Sequence, residues 1–337
     1  MDRARGTADG SGRPVDGILY HADGVLDADR AWQLLLAVRR CVDGGEVRAA
    51  DGRLGFSFVA SACRPDDPDR AELVVDLPGA VLARSRRALD PAAAEILELH
   101  LPQALCTRAQ GHLVAILGQS LDGFIATRQG QSRYINGDGS LVHLHRLRAL
   151  SDAVVIGVGT AVADGPRLTT RHVPGPHATR VVIDPRGRLP ADSGLLSDGV
   201  APTLIVRATH GREAGETRLS TLVSVLHLPA DDSGIAPARL VAALAARGLT
   251  RLLVEGGGVT VGRFLEAGLL HRLQLAVSPL ILGAGRPALP VAPVERLDQA
   301  LRPACRHYRM GEDILFDLRL RPRADGPPEA GVPGQTG

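Results

Sequence analysis

The stretch Val154 to Arg171, VVIGVGTAVADGPRLTTR, joins a buried-strand signal to a glycine turn and a polar run that ends in arginine. Val154, Val155, Ile156 and Val158, interrupted only by Gly157, have the continuous apolar texture of a strand covered on both faces, as in a parallel sheet. Gly157 and Gly159 then let the backbone turn and come close to a ligand, where Thr160 offers a hydroxyl. Asp164, Arg167 and Arg171 follow, a set that a sugar phosphate or a dinucleotide could use. The same residues also describe a strand, a glycine turn and a solvated loop, because a lone Gly-x-Gly is common.

Outward from this stretch, short apolar runs alternate with helical patterns. Strands are predicted at 113–117, 180–183, 203–206, 223–228, 251–254, 273–277 and 314–320, and helices at 138–150, 236–247 and 259–267. Such alternation predicts an α/β domain over 110–321, with a mostly parallel sheet and helices on both faces. Before it, residues 18–108 read as a small α+β domain. Asp27 caps a helix whose apolar positions Ala31, Leu34, Leu35, Val38 and Val42 keep the 3.6 period, ending at Gly44-Gly45. Strands at 56–59 and 73–77 follow, then Asp90-Pro91 opens a helix over 91–104. The polar, Gly- and Pro-rich segments 1–17 and 322–337 are expected to be disordered.

Composition removes several functions. A formal charge of +2 on 337 residues and 3% aromatic content give no basis for nucleic-acid binding. The chain has no lysine, so a Schiff-base lysine and a Walker P-loop are excluded, and every fixed cation is an arginine suited to bidentate capture of phosphate or carboxylate. Cys41, Cys63, Cys106 and Cys305 form no C-x-x-C pair, which argues against a zinc ribbon or a disulfide scaffold. His21-Ala22-Asp23 has Asp where a zinc deaminase needs Glu, no cysteine pair follows it, and no metal is expected. With no apolar run near the ~20 residues of a membrane span and no signal-peptide core, a cytoplasmic protein is expected.

Ligands of open α/β sheets bind beyond the carboxyl ends of the strands. Those positions hold Ser120 and Asp122, then Gly157, Gly159, Thr160 and Asp164, and finally Glu255-Gly256-Gly257-Gly258. The last lies between a strand and a helix, where glycine amides and the helix N-terminus could hold a pyrophosphate. Glu255 is a poor neighbour for phosphate and is assigned to the substrate. Ser132, Arg148 and Arg171 could neutralise a phosphate monoester with a hydroxyl and two guanidinium forks. Arg207 and Arg212, after the 203–206 strand, could meet a cofactor 2′-phosphate or be surface arginines. His143 and His145 face different ways on their helix, so neither suggests a metal ligand.

These residues also carry a resemblance. SLDG at 120–123, GQSRYING at 130–137, LRALSDAVVIGVGTAVADGPRLTTR at 147–171, RVVID at 180–184, LLVEGGG at 252–258 and SPLILG at 278–283 resemble the reductase domain of the riboflavin-biosynthesis deaminase/reductases and the stand-alone pyrimidine reductases of that pathway. The resemblance implies a dihydrofolate-reductase-like fold, a homodimer, and NADPH-dependent reduction of a phosphorylated ribosylaminopyrimidine to its ribitylamino form. By position it implies that Ser132, Arg148, Leu168 and Arg171 hold the substrate. Tyr134, Thr160, Asp164 and Gly256 to Gly258 would meet the cofactor, with Glu255 near the reacting ribose. Glu255 is the first candidate for proton donor and Asp164 the second. Two departures stand out: Ile116 occupies a position where many members have lysine, and Tyr134 replaces a tryptophan. Residues 18–108 do not resemble the deaminase. Another imine or carbonyl substrate, or a non-catalytic ligand-binding role, are the alternatives.

Overall fold

Asp27 starts the first long helix by the means its position predicts: its Oδ1 accepts the Arg30 N–H at 2.9 Å. In the computed structural model, which describes residues 25–46, 53–59, 62–66, 73–76, 81–85, 88–133, 135–209 and 215–320, the chain divides into two units at Pro102/Gln103. The expectations for 1–17, His21 to Asp23, Tyr134, Arg212 and 322–337 lie outside the described residues.

In the first unit, β1 (Val25–Leu26) leads into α1 (Ala28–Asp43), which buries Ala31, Trp32, Leu34, Leu35 and Val38 and ends at Gly44. The strands β2 (Arg53–Val59), β3 (Ala62–Asp66), β4 (Leu73–Asp76) and β5 (Val81–Ser85) form an antiparallel sheet in the order β3-β2-β4-β5. Of the two central strands, β2 contains the run expected at 56–59 and β4 covers 73–76 of the run expected at 73–77, whose last residue lies outside the described residues. The outer two, ACRPD and VLARS, were not anticipated, because edge strands carry the proline and charges that erase an apolar pattern. Then β6 (Ala88–Leu89) pairs parallel with β1, and α2 (Pro91–Leu105) begins where Asp90 Oδ1 accepts the Ala93 N–H at 2.6 Å.

The second unit follows the expected alternation. Its elements are β7 (His112–Ser120), β8 (Phe124–Thr127), α3 (Asp138–Leu150), β9 (Ala153–Gly157), α4 (Val158–Asp164), β10 (Thr179–Ile183), α5 (Gly194–Ser197), β11 (Thr203–Thr209) and β12 (Gly215–Arg218). They continue with β13 (Val223–Pro229), α6 (Pro237–Ala245), β14 (Arg251–Glu255), α7 (Gly258–Glu266), β15 (Arg272–Ser278), β16 (Gly285–Pro287), β17 (Ala304–Met310) and β18 (Asp313–Arg319). A ten-stranded sheet runs in the order β12-β13-β11-β10-β9-β14-β7-β15-β18-β17. From β13 to β15 all neighbours are parallel; β12 runs antiparallel at one edge, and at the other β18 runs antiparallel between β15 and β17.

Strand alternation sends side chains to two cores. Ala153, Val155, Leu252 and Val254 face Leu240 and Leu244 of α6 and Val261 and Phe264 of α7. Val154, Ile156 and Leu253 face Leu147 of α3, Val158 and Ala161 of α4 and Leu195 of α5. The parallel register sets Glu255 opposite Ile116, Val254 opposite Val155, and Ile183 opposite Gly157, so these carboxyl ends lie in one row.

One local expectation changes. Gly157 is extended, with φ −80°, and Gly159 lies inside α4, so the glycines after β9 form no glycine turn and solvated loop. Val158 and Ala161, three residues apart, are both buried against the sheet, and that packing outweighs the low helix propensity of glycine. The polar strand β17 was also missed, since as an edge strand it keeps most of its side chains exposed.

Candidate functional site

Leu253 and Glu255 point to the α3 side of the sheet, and the last turn of α3 carries Arg148 to meet them. Arg148 Nε donates to Glu255 Oε1 and Nη2 to Oε2, both at 2.7 Å, while Nη1 donates to the Thr169 carbonyl at 3.1 Å. The side chains are only 7% and 9% exposed, so the bidentate pair is almost fully desolvated. Burial opposes the charge on Arg148, but the Glu255 carboxylate overrides it and holds the guanidinium pKa above its ordinary value. Both oxygens of Glu255 accept from a cation, which is the bonding of an ionised carboxylate. Beside Glu255 on the neighbouring strand stands Ile116, so this part of the wall is apolar and the cation comes from α3.

After Glu255 the backbone turns through Gly256 (φ +34°) and Gly257 (φ +78°), the left-handed region that favours glycine. A Cβ on Gly257 would lie 2.7 Å from Thr160 Oγ1, and one on Gly258 2.3 Å from the Ala288 carbonyl oxygen. The N-terminus of α7 therefore begins on bare backbone, and no side chain caps it. Gly157 fits the same scheme, since a Cβ there would come 2.6 Å from Thr260 Oγ1.

On the other side runs the segment Pro166 to Arg171. Leu168, 1% exposed, has φ +55°, and is the one non-glycine residue with positive φ among the described residues. A strain of about 1–3 kcal/mol there is sustained only by strong surroundings. They include the Thr169 carbonyl, which accepts from Arg148 and at 3.4 Å from Arg171, and the Arg171 N–H, which donates to His145 Nδ1 at 2.8 Å. Burial first, then Arg148 and Arg171, push the His145 pKa down to about 3, so its Nδ1 is available as an acceptor. Arg171 itself is held below its usual pKa by burial first and then by the neighbouring Arg148 and Arg167.

These features enclose a cavity of about 890 Å³ across the carboxyl ends of β7, β9, β10 and β14. Ser132, Arg148, Leu168 and Glu255 line it, as do Gly157, Gly159, Thr160 and Asp164 and the turn Gly256 to Gly258. Ser132 Oγ donates to Asp164 Oδ1 at 2.9 Å. Arg171 adjoins this group through Thr169 without lining the cavity. Ser120 and Asp122 also lie outside the lining. Ser120 Oγ donates to Asp122 Oδ1 at 2.6 Å, and Asp122 accepts the Gly283 N–H at 2.6 Å, so the pair ties SLDG to SPLILG. Those bonds, the Ser120 hydroxyl first, hold the Asp122 carboxyl below its usual pKa. Arg207 does not line the cavity either and faces Asp184 at 3.4 Å.

Sequence reasoning passed over the polar lining residues Asn136, Ser140, Arg188, Thr260, Arg263 and Arg286. Asn136 Nδ2 donates to the Ala276 carbonyl at 2.9 Å, and its Oδ1 occupies the place where a Cβ on Gly118 would stand. Arg188 lies in the loop five residues past the end of β10, so the rule that ligands sit past strand ends could have found it. No helix among the described residues is long and apolar enough to cross a membrane.

Comparison with known proteins locates this arrangement. The chain is 32% identical over 219 residues to the 2,5-diamino-6-ribosylamino-4(3H)-pyrimidinone 5′-phosphate reductase of Methanothermobacter thermautotrophicus, a match that covers 62% of this chain and 98% of that one. It is 31% identical over 215 residues to the riboflavin biosynthesis protein RibD of Mycobacterium tuberculosis, covering 62% of this chain and 55% of the other, so it spans about half of that longer protein. The solved diaminohydroxyphosphoribosylaminopyrimidine deaminase/5-amino-6-(5-phosphoribosylamino)uracil reductase of Thermotoga maritima shares the fold, with a TM-score of 0.55 at 20% identity over 70% of this chain and 64% of that one. Residues 112–316 match the model of the RibD C-terminal domain, and with more than half of its length inside that match the chain belongs to this family.

Proposed function

We propose that the protein is an NADPH-dependent reductase of a phosphorylated ribosylaminopyrimidine. The observation that carries this reading is that a bare glycine turn at a helix N-terminus and a desolvated Arg148–Glu255 pair open onto one cavity. The turn suits a pyrophosphate. Two guanidinium groups, Arg148 on the cavity wall and Arg171 joined to it through the Thr169 carbonyl, suit a phosphate monoester on the substrate. The name of the archaeal relative, a ribosylaminopyrimidinone phosphate reductase, supports the same substrate class.

The nicotinamide, when bound, supplies a hydride to C1′ of the ring-opened sugar; the C=N π pair moves to nitrogen, which ends protonated. The chain's contribution is orientation and charge. A carboxylate at Glu255, fixed by two bonds to Arg148, stabilises the iminium cation that exists once the ring has opened and the nitrogen is protonated, before the hydride arrives. Of the two acids that line the cavity, Glu255 has both oxygens engaged, whereas Asp164 is bonded through one oxygen to Ser132. Asp164 is thus the better placed to move a proton, which reverses the order expected from sequence.

The test follows NADPH absorbance with purified protein and either the 2,5-diamino pyrimidinone or the deaminated uracil form of the phosphoribosylamine. Oxidation with one of them is the expected outcome and names the substrate. NADPH bound tightly but oxidised with neither would move the search to another imine, and no binding of any nicotinamide would overturn the reading.

A further inference from the structure

We propose that His145 is a positioning residue: from α3 it holds the backbone amide of Arg171, and through that bond it sets how tightly the site grips a phosphorylated substrate. This inference rests on the reductase reading and deepens it. It starts from a segment whose shape the cavity needs and local sterics oppose. Leu168 lines the cavity with φ at +55°, and Thr169 and Thr170 after it are buried. Such a backbone keeps its shape only where its polar groups have fixed partners.

Two of those partners come from one face of α3. His145 and Arg148 are three residues apart and so are neighbours on the helix surface. Arg148 Nη1 donates to the Thr169 carbonyl at 3.1 Å, and His145 Nδ1 accepts the Arg171 N–H at 2.8 Å. The helix thus grips the segment by one carbonyl and by the amide two residues later. Because Arg148 is also bonded to Glu255, this grip fixes the segment relative to the acid of the cavity wall. The Thr170 N–H between them donates to His177 Nδ1 at 3.2 Å, but His177 is exposed and belongs to the loop that leaves the same segment. That bond closes the loop on itself, whereas His145 ties it to the helix.

The bond needs an acceptor that stays uncharged. Lysine or arginine at 145 would offer none. His145 is 2% exposed and stands near Arg148 and Arg171, so a second proton on its ring would be both desolvated and repelled. The imidazole therefore stays neutral, with Nδ1 bare toward Arg171 and the proton on Nε2. The His172 ring packs edge-on against it, with centroids 4.5 Å apart. His145 does not itself line the cavity, so its effect reaches a ligand only through Leu168 and Arg171.

The experiment compares His145→Asn, whose Oδ1 can stand where Nδ1 does, with His145→Phe, which keeps a ring and loses the acceptor. The readouts are KM and kcat for the phosphoribosylaminopyrimidine at saturating NADPH, the Kd of NADPH, and hydrogen–deuterium exchange of the amides of 167–172. Leaving a buried N–H without an acceptor should raise KM in His145→Phe by about 10- to 100-fold and speed exchange by a similar factor. The value of kcat should stay within about threefold and the Kd of NADPH within about twofold, which also shows that the variant is folded. His145→Asn should recover most of both losses. Asparagine as damaging as phenylalanine overturns the proposal, since packing of the ring and not its acceptor would then matter. A fall in kcat or in NADPH affinity as large as the rise in KM also overturns it, as the sign of a general structural role. Wild-type KM and exchange in His145→Phe remove His145 from the site and leave the reductase reading standing. Wild-type protein that reduces neither pyrimidine removes the reductase reading and the substrate part of this inference with it, and the exchange rates alone then decide whether His145 holds the segment.

Discussion

At the amino end of the parallel sheet, Arg251 opens β14 and donates to Asp152 Oδ1 at 2.9 Å and to the Cys106 carbonyl at 3.1 Å. Arg180 of β10 is similarly enclosed: it pairs with Asp198 at 2.7 Å, and its Nη2 donates to the Leu195 and Ala201 carbonyls at 3.1 and 2.8 Å. At the carboxyl end, Arg148 and Glu255 make a pair just as short, but it borders the cavity, and beside it lie bare glycine backbone and the strained Leu168. The chemistry of the pairs is alike; their surroundings are not. Closed in by backbone carbonyls, an arginine braces loops to strands. Bordering a cavity, the same fork holds a carboxylate ready for a ligand.

Variants can break this contrast. The largest effect is expected from Arg251→Met, which leaves Asp152 buried without its cation and should cost about 3–5 kcal/mol in urea unfolding, with little change in turnover per folded molecule. A loss near zero would mean that the amino-end pair is not a brace. Glu255→Gln should do the reverse. Glutamine keeps the shape and one acceptor, so the midpoint of unfolding should move less, while kcat falls by about 100- to 1,000-fold through loss of the charge opposite the imine. Unchanged kcat would remove Glu255 from the reaction.

A smaller effect sharpens the same contrast through pH. Burial, the largest cause in both, pushes the pKa of His112 down to about 3 and that of His143 down to about 4. An unfolded chain titrates these groups near their ordinary value of about 6.5. Below that pH the unfolded state binds protons that the folded state excludes, so stability falls as pH is lowered from about 6.5 toward 4. Each histidine contributes up to about 1.4 kcal/mol per pH unit, and the curve is flat for both above about pH 7. Unfolding midpoints at pH 7.5 and 5.5 check this, and replacing His143 with glutamine should flatten part of the slope. An unchanged midpoint would show that one or both rings take up protons while folded.

Much of the fold was readable before the structure because the central strands are apolar throughout and end in turn residues. Val154 to Ile156 and Arg251 to Val254 signal themselves within a few residues, and the Gly256–Gly258 turn is visible as a run of glycines. Edge strands were not readable. β3, β5 and β17 carry polar or proline residues, in keeping with their place at the edge of a sheet among the described residues. Helix α4 was hidden for a different reason: Gly159 speaks against a helix locally, and only the packing of Val158 and Ala161 decides for it.

The candidate site divides along the same line. Which residue types stand past the strand ends follows from local pattern: the glycines, Thr160, Asp164 and Glu255. Their partners come from long-range packing. Arg148 and Glu255 are 107 residues apart and meet because α3 crosses beside β14. Likewise Asp184 and Arg207 pair because β10 and β11 are neighbours, and Arg207 lies outside the cavity lining. Ser120 and Asp122 resembled ligand-binding residues in sequence, yet in the fold they pin a loop 160 residues away. Charge and hydrogen-bonding capacity belong to the residue. Whether they are spent within the protein or left for a ligand depends on what the fold brings within about 3 Å.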